Sequence, residues 1–384
     1  MHERTFLEFF AGGGMAREGL GEGWRCLFAN DFDETKADSY AARWGSNGAR
    51  PSELVVGDVN AISPFELPAE RADLAWASFP CQDLSLAGNG AGLAGERSGS
   101  FLPFWSIMTG LRELGRSPRT IVLENVCGLL TSNGGQDFSD ICRLLQLGGY
   151  RFGAMILDAA AFVPQSRPRL FIVGVDRRID ARGSASPSPL WHPTRLRQAH
   201  GALRPDLRAD WLWFTPPAPP TRNTRFADLI EEQPMDVPWH APEITDRLLA
   251  MMSPVNRAKV DAAARCLGRS VGTIYKRTRI ENDVKAQRAE VRFDDIAGCL
   301  RTPGGGSSRQ TIIVIDDGTV RTRLISARET ARLMGLPDDY PLPSRYNDAY
   351  HLTGDGVAPP VVRHIAEWII EPLVSVDRPF ATAA

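Results

Sequence analysis

The sequence predicts an α/β protein: a doubly wound, mainly parallel sheet with a second, smaller and irregular domain. Three observations carry that reading. Short continuous apolar runs alternate with helix-length segments as far as about residue 175, the pattern of strands covered on both faces. "GSASPSPLWHP" (183–193) and "TPPAPP" (215–220) then break it with prolines and small residues. Helical periodicity returns in "SARETARLMGL" (326–336) and "PPVVRHIAEWIIEPL" (359–373).

The strand candidates, in chain order, are "TFLEFF" (5–10), "FANDFD" (28–33), "ELVVGD" (53–58), "DLAWASF" (73–79), "TIVLEN" (120–125), "FGAMILDA" (152–159) and "RLFIVGV" (169–175). In such a sheet, ligands gather at the carboxyl ends of the strands. From about 180 to 300 the chain is irregular and rich in Arg and Trp, with one helix near "SPVNRAKVDAAARCLG" (253–268). The expected division is residues 1–180 with 346–384 as one domain and 181–345 as the other.

A formal net charge of -2 over 384 residues gives no global attraction to an anionic partner, so any nucleic-acid surface must be local. The six cysteines include no CxxC pair and no Cys/His cluster, which argues against a zinc site and a disulfide framework. No metal is expected, and the compartment expected is a reducing cytoplasm. "MHERTFLEFF" is too short an apolar run for a signal peptide, and no window approaches a membrane span.

"FFAGGGMAREGL" (9–20) reads as a strand end, a glycine turn and a helix start. Gly12, Gly13 and Gly14 let the backbone approach a bound molecule closely, and the helix start offers unpaired N–H groups. Lacking the full GxGxxG spacing, this stretch alone reads equally as a tight structural turn. Two acids follow at strand tips, Asp31 and Asp58. The first can accept both hydroxyls of a ribose and the second the exocyclic amine of an adenine, while Phe32 can stack on the ring. Loop and aspartates together favour an adenosine-containing cofactor.

"WASFPCQDLSLAG" (76–88) sets Cys81 directly after a proline at the end of an apolar run. A cysteine there, taken alone, reads as a buried filler more readily than as a nucleophile. "LENV" (123–126) closes the fifth strand, and "VPQSRPRLFIVGV" (163–175) leads into another. In order along the chain stand Phe10-Ala11-Gly12-Gly13-Gly14, Asn30-Asp31, Gly57-Asp58, Pro80-Cys81-Gln82 with Ser85 and Gly88, and Glu96-Arg97-Ser98-Gly99. Glu124-Asn125-Val126, Gln165-Ser166-Arg167-Pro168-Arg169, the stretch from Arg328 to Pro337, and Gly354-Asp355-Gly356-Val357 complete the set. With these ordered blocks the sequence resembles the cytosine-5 DNA methyltransferase family, over nearly all of the chain outside residues 180–290.

The resemblance implies a class I methyltransferase, Rossmann-like sheet with a target-recognition domain. It implies transfer of a methyl group from S-adenosylmethionine, leaving S-adenosylhomocysteine, to carbon 5 of a flipped-out cytosine in a specific double-stranded DNA sequence. Cytosine carbon 5 is a poor nucleophile; a thiolate adding at carbon 6 breaks the aromaticity and makes carbon 5 enamine-like. Cys81 is the implied nucleophile, and with an ordinary thiol pKa of about 8.5 it needs help to ionise. Glu124 is the implied donor to ring N3. Asn125 would hold that carboxyl or bond the exocyclic amine. Arg167 and Arg169, alternating on a strand-like segment, would both point into one cleft and hold the cytosine carbonyl and a nearby phosphate. The implied cofactor residues are Phe10, Ala11, Gly12, Gly13, Gly14, Asp31, Phe32, Asp58, Val59, Pro80, Asp355, Gly356 and Val357. The implied DNA contacts are Gln82, Ser85, Arg97 and Gln165. The chain departs from the family at Asp355-Gly356, where Asn and a small hydroxylated residue are more usual. The last helix, near 359–373, should return to pack beside the first strand.

Residues 177–225 hold nine arginines against three acids, with Trp191, Trp211 and Trp213 among them, and "GRSVGTIYKRTR" (268–279) adds a second basic cluster. Under the resemblance this is the local DNA surface of a target-recognition domain. The expected setting is restriction-modification or phage defence, with a monomeric enzyme paired functionally to a restriction endonuclease or defence system. Two rivals remain at this level: the same chemistry on tRNA, and a nicotinamide-dependent oxidoreductase, which leaves Cys81, Glu124 and the QxRxR segment unexplained.

Overall fold

The computed structural model describes residues 3–46, 49–80, 101–281, 284–301 and 309–375. It divides into two compact units, one of residues 1–158, 168–219 and 357–384, the other of residues 159–167 and 220–356.

In the first unit the apolar runs form one seven-stranded sheet. Its elements are β1 (Arg4–Phe9), α1 (Met15–Leu20), β2 (Trp24–Asp31), α2 (Glu34–Trp44), β3 (Leu54–Val56), β4 (Leu74–Ala77), α3 (Phe101–Glu113), β5 (Thr120–Val126), α4 (Gln136–Leu147), β6 (Tyr150–Asp158) and β7 (Pro168–Asp176). The strand order is β3-β2-β1-β4-β5-β7-β6. Strands β1 to β5 are parallel, and β7 runs antiparallel to both β5 and β6. All four residues of β4, "LAWA", are buried, as expected of a strand covered on both faces. Phe9 packs on Phe28 and Phe104 at ring separations of 5.4 and 5.1 Å, and Phe79 packs on Phe101 at 5.1 Å. Asp33 caps α2 by accepting the N–H groups of Thr35 and Lys36.

The expected boundary at residue 180 falls instead at 219. Residues 177–219, including α5 (Thr194–Ala202) and α6 (Pro205–Ala209), cover the edge strand β6. Leu212 N–H donates to Phe152 O (2.7 Å), Phe152 N–H to Asp210 O (3.1 Å) and Ile156 N–H to Trp191 O (2.9 Å). Trp191 and Trp211 are buried, and the His200 ring lies 4.9 and 4.6 Å from Trp211 and Trp213. Gly153 admits this layer, because a Cβ there would sit 1.8 Å from Leu212 O. The tryptophans read as recognition residues are core side chains, placed there because an edge strand needs covering.

The second unit carries α7 (Pro242–Ala250), α8 (Pro254–Arg265) and an antiparallel sheet of β8 (Ser270–Glu281), β9 (Val284–Arg292), β10 (Thr311–Asp316) and β11 (Thr319–Leu324), in the order β11-β10-β8-β9. Its core contains Leu249, Met252, Val260, Ile274, Val291 and Ile313. Next comes α9 (Ala327–Leu333), opened by a capping box between Ser326 and Glu329. Arg323 and Glu329, both 0 % exposed, form a two-pronged ion pair (2.6 and 2.8 Å). The helix α10 (Tyr346–Asp355) belongs here too: Thr353 Oγ1 bonds Thr330 Oγ1 (3.0 Å), and Tyr350 OH accepts Gln310 N–H (3.1 Å). The expected boundary at 345 therefore moves to 356.

The chain returns to the first unit with α11 (Pro359–Ile365), which packs on α1 rather than beside β1. Gly19 makes the contact possible, since a Cβ there would meet Pro359 O and Val362 Cβ at 2.5 Å. Arg363 Nη1 donates to Leu20 O (2.6 Å), and Trp24 Nε1 to Glu371 Oε1 (3.0 Å).

Candidate active site

The direction of winding reverses between β1 and β4. From β1 the chain winds outward through β2 and β3, then crosses back to place β4 on the other side, with Phe9 paired to Ala77. In open α/β sheets this reversal is where ligands bind, beyond the carboxyl ends of the two strands. The glycine loop follows β1 here, and Pro80-Cys81 follows β4.

The loop is strained and tied down. Phe10, Gly12 and Gly14 have φ of 58°, 56° and 81°; for Phe10 the left-handed region costs on the order of 1 kcal/mol and persists only where surroundings enforce it. Gly14 has no room for a side chain, because a Cβ would lie 2.7 Å from Trp44 Nε1. Asp31 Oδ2 accepts Gly12 N–H (2.7 Å), Asp31 Oδ1 accepts Asp33 N–H (2.9 Å), and Ala11 N–H donates to Asn30 O (2.9 Å). Asn30 Nδ2 donates to Val55 O and Gly57 O, both at 3.0 Å, fastening β3 to β2. Phe32 is 79 % exposed beside Asp31. Asp58 Oδ1 accepts both the backbone and side-chain N–H of Asn60, which hold its carboxyl below the usual range. A cavity of about 620 Å³ opens at Val59 and Asn60 and runs along Leu102 and Trp105.

One residue beneath this loop gives no motif signal. Glu8, 1 % exposed in the middle of β1, lies under the loop, with the backbone N–H groups of Ala16 and Arg17 directed at it. Burial pushes its carboxyl up to about 8, against the opposing pull of Arg17. An acid inside an otherwise apolar strand was the available signal.

Beyond β4, Cys81, Gln82, Ser85 and Arg97 lie outside the described residues, as do Gly88 and the Glu96–Gly99 block. The support before Cys81 is described. Asn125 Nδ2 donates to Phe79 O (2.9 Å), two residues ahead of Cys81, and Asn125 Oδ1 accepts Val126 N–H (2.8 Å). The amide thus ties the tip of β4 to β5; its bonds go to Phe79 and Val126 and not to the Glu124 carboxyl, one of the two roles expected for it. Glu124, buried on β5, is gripped by Arg169 Nε from β7 at 3.2 Å. The pairing follows from register: Val126 sits opposite Arg169 and Glu124 opposite Phe171, so Arg169 reaches along the strand.

Arg167 and Gln165 are placed otherwise than the sequence suggested. β7 begins at Pro168, so the assumed strand alternation stops short of Arg167. Arg167 belongs to the second unit and is 2 % exposed there, its guanidinium donating to Leu300 O (3.1 Å) and to Gly354 O and Gly356 O (both 2.7 Å). It is a buried tie to three backbone carbonyls of the second unit. Gln165, also buried, donates to Leu333 O (2.9 Å) and accepts Leu300 N–H (3.1 Å). These bonds make it a brace within the second unit instead of a DNA contact. Asp355 ends α10 as an exposed residue, Gly356 lends its carbonyl to Arg167, and Val357 is buried at the start of the returning segment.

The arginine-rich surface is largely neutralised. Of the nine arginines in 177–225, six form ion pairs: Arg177 with Asp210, Arg178 with Asp176, Arg182 with Asp180, Arg204 with Asp206, Arg222 with Asp295 and Arg225 with Asp228. Three of those acids, Asp176, Asp228 and Asp295, lie outside the 177–225 window.

The family model for C-5 cytosine-specific DNA methylase matches residues 4–371. The chain belongs to this family. Among curated relatives, the methylase is 26% identical to the Type II methyltransferase M.HpaII of Haemophilus parainfluenzae, over 96% of this chain and 90% of that one. It is 27% identical to M.NlaX of Neisseria lactamica, over 94% of each. Among solved structures, S. pombe Dnmt2 methyltransferase superposes with a TM-score of 0.59 at 16% identity, covering 96% of this chain and 99% of that one. That likeness shows the shared fold. Methylation in this family draws on S-adenosylmethionine, and the residues present suit it: a glycine turn in the left-handed region at Gly12 and Gly14, and an exposed aromatic, Phe32, beside the strand-tip Asp31. Among the described residues no helix is long and apolar enough to cross a membrane, and no group of His, Cys, Asp or Glu could hold a metal.

Proposed function

We propose that the methylase acts on cytosine within a specific duplex sequence through Cys81, at the point where the sheet reverses direction. The observation that carries this is the adjacency of two strand ends: the glycine turn leaves β1, and β4, the neighbouring parallel strand, ends four residues before Cys81 in the chain, with Asn125 holding Phe79 at that second tip. When bound, S-adenosylmethionine supplies an electrophilic methyl group. Gly12, Gly13, Gly14, Asp31, Phe32, Asp58 and Val59 would hold it, with Phe10, Ala11 and Pro80 lining the approach.

The chain's own residues divide the rest. The Cys81 thiolate adds to carbon 6 of the flipped base, and the charge this pushes onto the ring is met at N3 by Glu124. Arg169 orients Glu124 by the 3.2 Å contact, and its guanidinium would face the cytosine carbonyl. Once carbon 5 carries the methyl group, a water held in the site takes its proton, the C6–S bond breaks and the 5,6 double bond re-forms as the thiolate leaves. Gln82, Ser85 and Arg97 would contact DNA around Cys81, and residues of the second unit would select the target. The Type II relatives, at similar length, support a restriction-modification setting, in which the methylase would act as a monomer alongside a partner endonuclease.

The test is methyl incorporation into duplex DNA. Wild type should transfer methyl groups, Cys81→Ala should transfer none while still binding S-adenosylmethionine, and DNA containing 5-fluorocytosine should trap a covalent adduct at Cys81. A fully active alanine variant overturns the nucleophile, and activity on tRNA with none on duplex DNA overturns the substrate.

A further inference from the structure

We infer that the β8–β9 ribbon of the second unit enters the major groove of the target DNA and reads base edges with Gln287 and Thr278. This rests on the reading of the protein as a duplex-DNA methylase and names the element that selects its site.

β10 pairs with β8 only from Ser270 to Ile274, whereas β8 and β9 remain paired out to Glu281 and Val284. The pair Lys276 and Ala289 still rests on the unit, with Ala289 buried and its N–H donating to Met251 O (3.1 Å); beyond it the two strands continue as a two-stranded ribbon over 277–281 and 284–288. At about 3.3 Å per residue this extends roughly 15 Å. An isolated ribbon has little stability of its own, so its length asks for a function.

Residues opposite one another in an antiparallel pair share a face. One face begins as core, with Ile274 opposite Val291 and Ala289 opposite Lys276. It continues outward as Thr278 opposite Gln287 and Ile280 opposite Lys285. Lys276, Thr278, Gln287 and Lys285 are exposed, and Ile280 is 70 % exposed at the far end. On the other face Arg277 is held by Glu290 at 3.3 Å.

This order of side chains matches a groove. B-DNA's major groove, about 12 Å wide, admits a two-stranded ribbon. A glutamine amide there can pair in two places with adenine, and a threonine offers a hydroxyl and a methyl group to its neighbour. Lys276 and Lys285 flank the pair along the ribbon at reach of the phosphates. Ile280 supplies an apolar side chain able to contact a thymine methyl group in the same groove.

The experiment is bisulfite sequencing of a randomised duplex library treated with wild type, Gln287→Ala and Thr278→Ala, alongside DNA binding across salt concentrations for wild type and the Lys276→Ala/Lys285→Ala double variant. Each side-chain truncation should relax discrimination at one base pair about 10-fold. The double variant should lower the slope of log affinity against log salt by about 2. All these residues are exposed, and unchanged melting with unchanged S-adenosylmethionine binding identifies folded variants. Folded variants with the wild-type site preference and salt slope would overturn the inference. A wild type that methylates no duplex at all would instead overturn the proposed function.

Discussion

Two arginines show how the same residue type acquires its task from its neighbours. Arg169 sits within a strand and reaches a carboxylate; Arg167, two residues earlier, precedes the strand and is consumed by backbone carbonyls. Asn125 holds Phe79 O, two residues ahead of Cys81 in the chain, so under the proposed function it is a positioning residue. Asn125→Ala should lower kcat about 10- to 100-fold, because small misplacements of a nucleophile are costly, with S-adenosylmethionine affinity within about 2-fold. An unchanged kcat would contradict that role. Glu8 yields a pH prediction. Its carboxyl is raised from an ordinary 4.5 to about 8 in the folded protein, so the native state holds a proton that the unfolded chain releases. The stabilising effect of that proton is complete below about pH 4.5 and is lost as pH rises through 8. Glu8→Gln should therefore flatten the decline in melting temperature between pH 5 and 8 and raise stability at pH 8 by about 2 to 4 kcal/mol. A variant with the wild-type pH slope would show that Glu8 ionises normally.

At the level of elements, the parallel strands were legible because their apolar runs are continuous and bounded by turns, and "LAWA" and "TIVLEN" became β4 and β5 nearly as read. The layer over β6 was not legible. Nothing local in "LWHP" or "WLWF" distinguishes an aromatic that stacks on a base from one that covers a strand edge. The α1–α11 contact is a second case, since Gly19 looks like an ordinary helix residue until Pro359 arrives against it. Gly19→Val should cost about 1 to 3 kcal/mol through overpacking, read as a loss in unfolding free energy. Full stability would mean that the two helices separate without penalty.

Among the described residues each of the two units has a hydrophobic core, and each should report its own damage. Arg323→Met strands Glu329 in a fully buried position and should destabilise the second unit by about 3 to 5 kcal/mol. Gly19→Val acts on the first. Denaturant unfolding should accordingly lose its single-transition form, each substitution moving a different step. Both substitutions shifting one common transition by their full cost would refute independent cores. The net charge of -2 also takes on meaning at this scale. Attraction to DNA cannot come from the total, and six of the nine arginines expected to supply it are already paired, which leaves the exposed face of the β8–β9 ribbon as the surface to test.

By itself the sequence determined the α/β class and the family, because both depend on apolar patterning and short motifs in a fixed order. The tertiary structure decided which side chains are taken up in holding the fold and so are not left to meet a ligand. Arg167, Gln165 and the tryptophans of 191–213 carry side chains suited to either task, and a choice between them is set by long-range neighbours: carbonyls 133 to 189 residues away for Arg167, and the open edge of β6 for the tryptophans. Charge behaves the same way. An arginine count is local in sequence, whereas neutralisation depends on acids that the fold brings alongside.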